Sequence, residues 1–253
     1  MTTPADDEGR LLLIKKLLNK AEAKGTTPEE RDAFSAKATK LILQWGIDVA
    51  LLADADRTKK EQVTQRIVVA DAPKTYSYEY AVIVVRVAEG LGCRGILTKV
   101  HNGQTGVIIV GFVSDVERSV LLAQSLVLQC TLDGAAWYAK WLSQFPSWIK
   151  PTGSDKYNAR RGFISGFGTG VREKMAAWKR DTLTSAAPGT DLVLVDRKKQ
   201  VDAYVRNEMQ VTMGNSRRRY TGDSRSAGKS AGLAADLGQG GVGQNSGRPA
   251  VGR

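Results

Sequence analysis

The side chains best equipped for chemistry in this chain are cations set beside aromatic rings. Lys156-Tyr157 precedes Arg160-Arg161, and Lys179-Arg180 and Arg197-Lys198-Lys199 follow. Arg217-Arg218-Arg219-Tyr220 comes next, succeeded by Arg225 and Lys229. Guanidinium and ammonium groups contact phosphates, and flat rings stack on bases, so this is equipment for nucleic-acid contact. The expected binding set is Arg160, Arg161, Arg197, Lys198, Lys199, Arg217, Arg218, Arg219 and Tyr220. One basic run usually marks a solvated face. Several in succession, ending in a basic Gly-rich segment, point to DNA or RNA.

Catalytic chemistry has less to work with. His101 is the single histidine, and Cys93 and Cys130 are the only cysteines. That leaves no set for zinc, haem, a Ser-His or Cys-His pair, or a disulfide framework. No catalytic residue, metal site or cofactor is expected. Asp191, Asp196 and Asp202 are the one acidic group that could hold a divalent ion by converging, although Asp196 reads equally as the cap of a helix starting at Arg197. His101 reads as an exposed turn residue and Cys93 as a small buried residue at a strand entry. Gly228-Lys229-Ser230 resembles the end of a phosphate loop. From Gly222 to Gly228, however, there is one residue too many, and no strand precedes to aim the backbone amides.

Gly162, Gly166 and Gly170 fall every fourth residue in a helical pattern that also carries Phe163, Phe167, Val171, Met175 and Trp178. An internal helical glycine costs about 0.5–1 kcal/mol relative to alanine, so a glycine ridge needs a reason. Close packing of another helix or of the sheet is one reason. A backbone surface open to a ligand or a nucleic-acid strand, flanked by Arg160, Arg161, Arg172 and Lys174, is the other.

These residues sit on an uneven charge distribution. The 253-residue chain carries 37 Lys and Arg against 26 Asp and Glu, a net charge of +11. Residues 1–52 are neutral, 53–150 carry +2, 151–213 carry +4 and 214–253 carry +5. The basic character therefore belongs to the C-terminal two-fifths. Residues 1–10 are polar and acidic, unlike a secretory leader. The apolar runs 81–85, 107–113 and 120–128 are shorter than the ~20 residues of a membrane helix. A cytoplasmic protein with reduced thiols, and no membrane partner, is expected.

The elements follow from periodicity. Leu11, Ile14, Leu17, Leu18 and Ala21 form a helical stripe that Gly25 ends. Thr27-Pro28-Glu29-Glu30 opens a second helix as a capping box, and Ala33, Phe34, Ala38, Leu41, Ile42 and Trp45 line it. The spacing predicts a strand over 65–70, a helix over 78–89, and strands over 96–100 and 105–112 joined at Asn102-Gly103. It then predicts a helix from Ser114 through Cys130 that continues over 132–145 with Trp137, Trp141 and Phe145 along it. After a break between Pro146 and Pro151 it predicts a helix over 157–180, a short strand over 191–195 and a helix over 197–213. The fold class is α+β: an N-terminal helical hairpin, a small mixed β-sheet with several helices on one face, and a disordered basic tail. The domains are a hairpin module at 10–52, a linker at 53–64, an α+β domain at 65–213, and a flexible Gly-rich tail at 214–253. Ala and Leu spacing over 226–237 suggests a transient helix in that tail.

Ile14-Lys15-Lys16-Leu17-Leu18, Ala21, Thr27-Pro28-Glu29-Glu30, Ala36, Leu41 and Trp45-Gly46-Ile47-Asp48 together resemble the N-terminal module of the family named domain of unknown function 2786. The resemblance covers roughly 10–52 and continues loosely into a companion domain. It differs at Trp45, where a tyrosine or histidine is usual, and at Ile42-Leu43, where Met is common. It implies a phage, plasmid or actinobacterial lineage and no known activity. Lys15, Lys16, Lys20, Lys37 and Lys40 give the hairpin a basic face, but its net charge is zero, so protein contact suits it better than a groove. The expected function is a non-enzymatic nucleic-acid-associated protein whose basic C-terminal region contacts phosphates. A protein-interaction adaptor using the glycine ridge and the Trp137/Trp141 face is the alternative, and a nucleic-acid-processing enzyme with a divalent metal is the third.

Overall fold

The computed structural model describes residues 4–23, 25–27, 29–31, 33–34, 37–38, 41–42, 45, 61–185, 189–209 and 223–235. The chain divides into two compact units, 1–40 with 236–253, and 41–235.

In the first unit, helix α1 (Pro4–Glu22) buries Ile14, Leu17, Leu18 and Ala21, the stripe read from the sequence. Gly25 reverses the chain with φ +103°. The capping box forms with both arms: the Thr27 amide donates to Glu30 Oε2 (3.1 Å) and the Glu30 amide to Thr27 Oγ1 (3.2 Å). Lys20 lies over the Phe34 ring, and Arg31 Nε donates to the Ala21 carbonyl (3.2 Å). Residues 29–31, 33–34 and 37–38 are helical, and the remainder of the expected second helix lies largely outside the described residues.

The second unit holds β1 (Val63–Val68), a 3-10 turn at Lys74–Tyr76, α2 (Ser77–Gly90), β2 (Arg94–Lys99), β3 (Thr105–Phe112), α3 (Val113–Ser143), α4 (Gly153–Ser185), α5 (Thr190–Glu208) and α6 (Asp223–Ala234). The strands run β1-β3-β2. β3 pairs antiparallel with both neighbours, Val63 opposite Phe112 on one side and Lys99 opposite Thr105 on the other. The sheet is thus wholly antiparallel rather than mixed, within the α+β class. Gly103, at φ +77°, turns the β2–β3 hairpin, and His101 is exposed beside it.

Helices cover both faces of this sheet, not one. β3 alternates its side chains: Ile108, Val110 and Phe112 join Val201, Tyr204 and Val205 of α5 in one cluster. The opposite face, carrying Val107 and Ile109, packs on α2 and α3. That is why β3 is apolar at both parities. α3 is, among the described residues, the one helix long and apolar enough to cross a bilayer by length and composition. Its apolar face is occupied by α2, the sheet and α4.

Three further expectations are corrected. The short strand at 191–195 is the opening of α5: Thr190, Arg197 and Val201 are its buried positions, a helical spacing. Asp196 therefore caps nothing and sits mid-helix. β1 starts at Val63, so the end of the linker belongs to the sheet domain. Part of the supposed tail, Asp223–Ala234, is a helix docked on α4; residues 214–222 and 236–253 lie outside the described set.

α4 opens with a cap that the sequence reading passed over. Asp155 Oδ2 accepts from the Thr152 amide (2.9 Å) and hydroxyl (2.7 Å), and Thr152 Oγ1 accepts from the Asp155 amide (3.1 Å). The Thr152 bonds hold the Asp155 carboxyl below its ordinary range. A folded-state value that is lowered means this contribution is present above the ordinary Asp range and is lost as pH falls through the lowered value. Thr152→Ala removes the hydroxyl bond and leaves the amide bond, so it is expected to raise Asp155 part of the way toward the ordinary range in an NMR pH titration of its carboxyl carbon. An unchanged titration would contradict the cap.

Candidate nucleic-acid interface

The expected binding residues separate into internal and external ones. Arg161 is internal: its Nε donates to Glu79 Oε1 (2.9 Å), and Glu79 is 1% exposed. Arg197 is also internal, at 9% exposure. Its Nη2 pairs with Asp115 Oδ2 (2.9 Å) and Glu61 Oε2 (3.0 Å), and its guanidinium lies 3.8 Å from the Phe112 ring centroid. Asp115 also binds Arg118, whose Nη1 donates to the Ile42 carbonyl (3.2 Å). Burial works against the Arg197 charge, but Asp115 and Glu61 outweigh it and hold the guanidinium above its ordinary value. Neither Arg161 nor Arg197 is available to a phosphate. The sequence contains no signal that separates a clamped arginine from a solvated one.

The glycine ridge is likewise closed. A Cβ on Gly162 would overlap Ser224, one on Gly166 the Arg225 carbonyl, and one on Gly170 the Lys229 carbonyl. From the other side, a Cβ on Gly228 would overlap the Phe163 carbonyl and one on Gly232 the Phe167 carbonyl. α4 and α6 thus meet backbone to backbone, and the packing reason for the ridge is the one the structure shows. Gly228-Lys229-Ser230 lies within α6, with Lys229 paired to Glu173 (2.9 Å), and makes no phosphate loop. Asp191 and Asp202 share a side of α5 but stand about 16 Å apart along it, and Asp196 lies on another side. Asp202 pairs with Arg94 (3.1 Å) and Asp196 with Lys199 (4.0 Å), so the acidic cluster does not form. Among the described residues no group of three His, Cys, Asp or Glu could hold a metal ion.

Both cysteines are buried and free of disulfide bonds, and Cys93 Sγ accepts from the Ser119 hydroxyl (3.5 Å). Burial, with Asp115 nearby, pushes the Cys93 thiol up to about 12, and burial pushes Cys130 well above its ordinary value. Such thiols are inert at neutral pH.

The external set is Arg160, Lys198 and Lys199, all exposed. Lys198 and Lys199 stand on α5, which packs on the sheet. Arg160 stands on α4 among aromatic rings, its guanidinium 3.9 Å from the centroid of Tyr138. Arg217, Arg218, Arg219 and Tyr220 lie outside the described residues.

Around Arg160, the end of α3, the link and the start of α4 form a corner rich in rings and cations. Residues 137–160 hold Trp137, Tyr138, Trp141, Phe145, Trp148 and Tyr157, with Lys140, Lys150, Lys156 and Arg160 against the single carboxylate of Asp155. All four cations are exposed. Trp141 contacts Tyr138 (5.6 Å), Trp137 (6.2 Å) and the edge of Phe145 (4.9 Å), and Trp137 rests on Phe163 (5.1 Å). These contacts follow from helical spacing, since 137, 141 and 145 stack along one face of α3. Trp148 is 81% exposed in the link between Pro146 and Pro151. Sequence reading noted the Trp137–Trp141–Phe145 spacing and missed Trp148, Lys140 and Lys150. The available signal was the density of rings and cations between the two helices.

The corner lies outside the N-terminal segment that resembles a known family, where the buried stripe of α1 and the closed capping box fall on residues that carry the resemblance. Residues 14–49 match the family described as "Protein of unknown function (DUF2786)". The DUF2786 match falls inside the neutral N-terminal segment and does not reach the corner, the sheet or α6. No curated protein and no solved structure matches the chain.

Proposed function

We propose that the protein is a non-enzymatic nucleic-acid-associated protein that contacts phosphates through its basic C-terminal half. The observation that carries this reading is the corner at residues 137–160, where Arg160 lies over Tyr138 and the stretch holds four exposed cations and an exposed tryptophan against one carboxylate. Cations fix a phosphate backbone, and rings stack on bases without demanding a sequence. Lys198, Lys199 and the Arg217-Arg218-Arg219-Tyr220 run add further cations along the sequence. A cytoplasmic setting, without membrane contact, suits two thiols free of disulfide bonds and an α3 whose apolar face is packed on protein. The phage or mobile-element setting rests on the DUF2786 resemblance alone.

The test uses the full chain and the double variant Lys156→Glu/Arg160→Glu in electrophoretic shifts at ~50 mM salt, where electrostatic binding is strongest. The variant is expected to bind at least about ten-fold more weakly. Equal shifts for both proteins would remove the corner from the interface. Deleting 214–253 is a poor test, because it strips α6 from α4 along with the arginines. Arg217→Ala/Arg218→Ala/Arg219→Ala probes the segment with α6 in place.

A second reading concerns the hairpin. Leu12 and Leu13 are exposed side by side on α1, and a neutral module with an apolar spot suits a protein partner. In that reading the DUF2786 module supplies protein contact while the corner holds nucleic acid.

A further inference from the structure

We infer that the corner takes single-stranded nucleic acid, with an unstacked base seated on the indole of Trp148. This rests on the proposed function and specifies its ligand. Trp148 is 81% exposed, in a link held by prolines at 146 and 151 and closed by the Ile149 amide donating to the Pro146 carbonyl (2.9 Å). A large ring with so little cover on a short, braced link leaves apolar area in water, yet the link needs no tryptophan to turn. It follows Phe145 by three residues, so its Cα lies within about 11 Å of the aromatic ladder. Lys150 stands two residues beyond it, with Lys140 on α3 and Lys156 and Arg160 on α4.

This arrangement discriminates between forms of nucleic acid. A duplex hides its base faces in the stack and offers a protein its grooves and phosphates. A single strand exposes base faces at intervals, each of which can lie on an indole while the adjoining phosphates meet cations. α4 does not present a groove-reading stripe. Lys156 and Arg160 share a face, but Arg172 and Lys179 lie roughly 120° round the helix. The other sides of α4 are taken by α2, α3 and α6. An exposed ring in a stretch rich in exposed cations suits splayed bases better than an intact groove.

The experiment measures fluorescence anisotropy of labelled 20-nucleotide DNA and RNA single strands, and of the matching duplexes, with the full chain at ~50 mM salt. Single strands are expected to bind about ten-fold more tightly than duplexes. Trp148→Ala is expected to lose about ten-fold on single strands and less than two-fold on duplexes, and Trp148→Phe to recover part of the loss. Duplex binding equal to or tighter than single-strand binding, unmoved by Trp148→Ala, would overturn the inference and leave the proposed function standing. Absence of binding to every form would overturn both. Light scattering of the same variant covers the remaining occupant. A mass that halves on Trp148→Ala while nucleic-acid affinity is unchanged would assign the ring to a second copy of this chain and overturn the inference.

Discussion

Asp115→Ala is expected to destabilise the 41–235 unit by about 3–5 kcal/mol, read as the shift in urea midpoint at constant slope. Asp115 is 6% exposed and accepts from two guanidiniums, Arg118 and Arg197. Removing it leaves two buried cations with Glu61 and the backbone carbonyls of Ser114 and Ile42 between them. The pair itself contributes little beyond the desolvation it must offset; the penalty comes from stranding the charges. Replacing Asp115, Arg118 and Arg197 together by apolar residues of similar volume should therefore cost much less than the single change. A loss below about 1 kcal/mol for Asp115→Ala would mean that water reaches the cluster and screens it.

Gly228→Leu is expected to detach α6 from α4 altogether. A side chain there overlaps the Phe163 carbonyl, and Gly166 on the facing helix is equally closed by the Arg225 carbonyl. Backbone cannot retreat as a flexible side chain can. Overpacking costs about 1–3 kcal/mol where neighbours adjust; here they cannot, so the cost is limited only by the docking free energy of α6, and undocking is the cheaper outcome. Hydrogen exchange should show the amides of α6 losing their protection while those of β3 keep theirs. Ser226→Leu, at an exposed position of the same helix, should leave protection unchanged. Retained protection of α6 in Gly228→Leu would contradict the backbone-to-backbone contact.

These two sites also mark where the sequence was legible and where it was not. Local rules were readable. The Thr27–Glu30 capping box, the α1 stripe and the Asn102-Gly103 turn depend on neighbours within a few residues, and each forms. The glycine ridge announced a close contact, but its partner lay in a Gly-Ser-Arg stretch whose composition matches a flexible tail. Ser224, Gly228 and Gly232 form the small-residue stripe that answers Gly162, Gly166 and Gly170. Matching the two requires knowing that they meet. Arg197 misled twice. A charged residue at a core position broke the apolar period of α5, so Leu192 to Val195 read as a strand, and the same charge read as phosphate contact. What occupies it is Glu61 and Asp115, residues 136 and 82 positions away. Sequence pattern does not report pairings over such distances. Within the basic set, it showed that cations are abundant after residue 150 but not which of them face water.

The salt dependence of binding tests the nucleic-acid account most directly. The affinity of the full chain for a labelled mixed-sequence strand should be measured between ~50 and ~200 mM salt. Four corner cations together with the Arg217–Arg219 run predict a loss of more than about 100-fold across that range. Lys156→Glu/Arg160→Glu should flatten the slope of log affinity against log salt by about 1–2. An affinity that does not change with salt, or no binding at ~50 mM, would contradict the account.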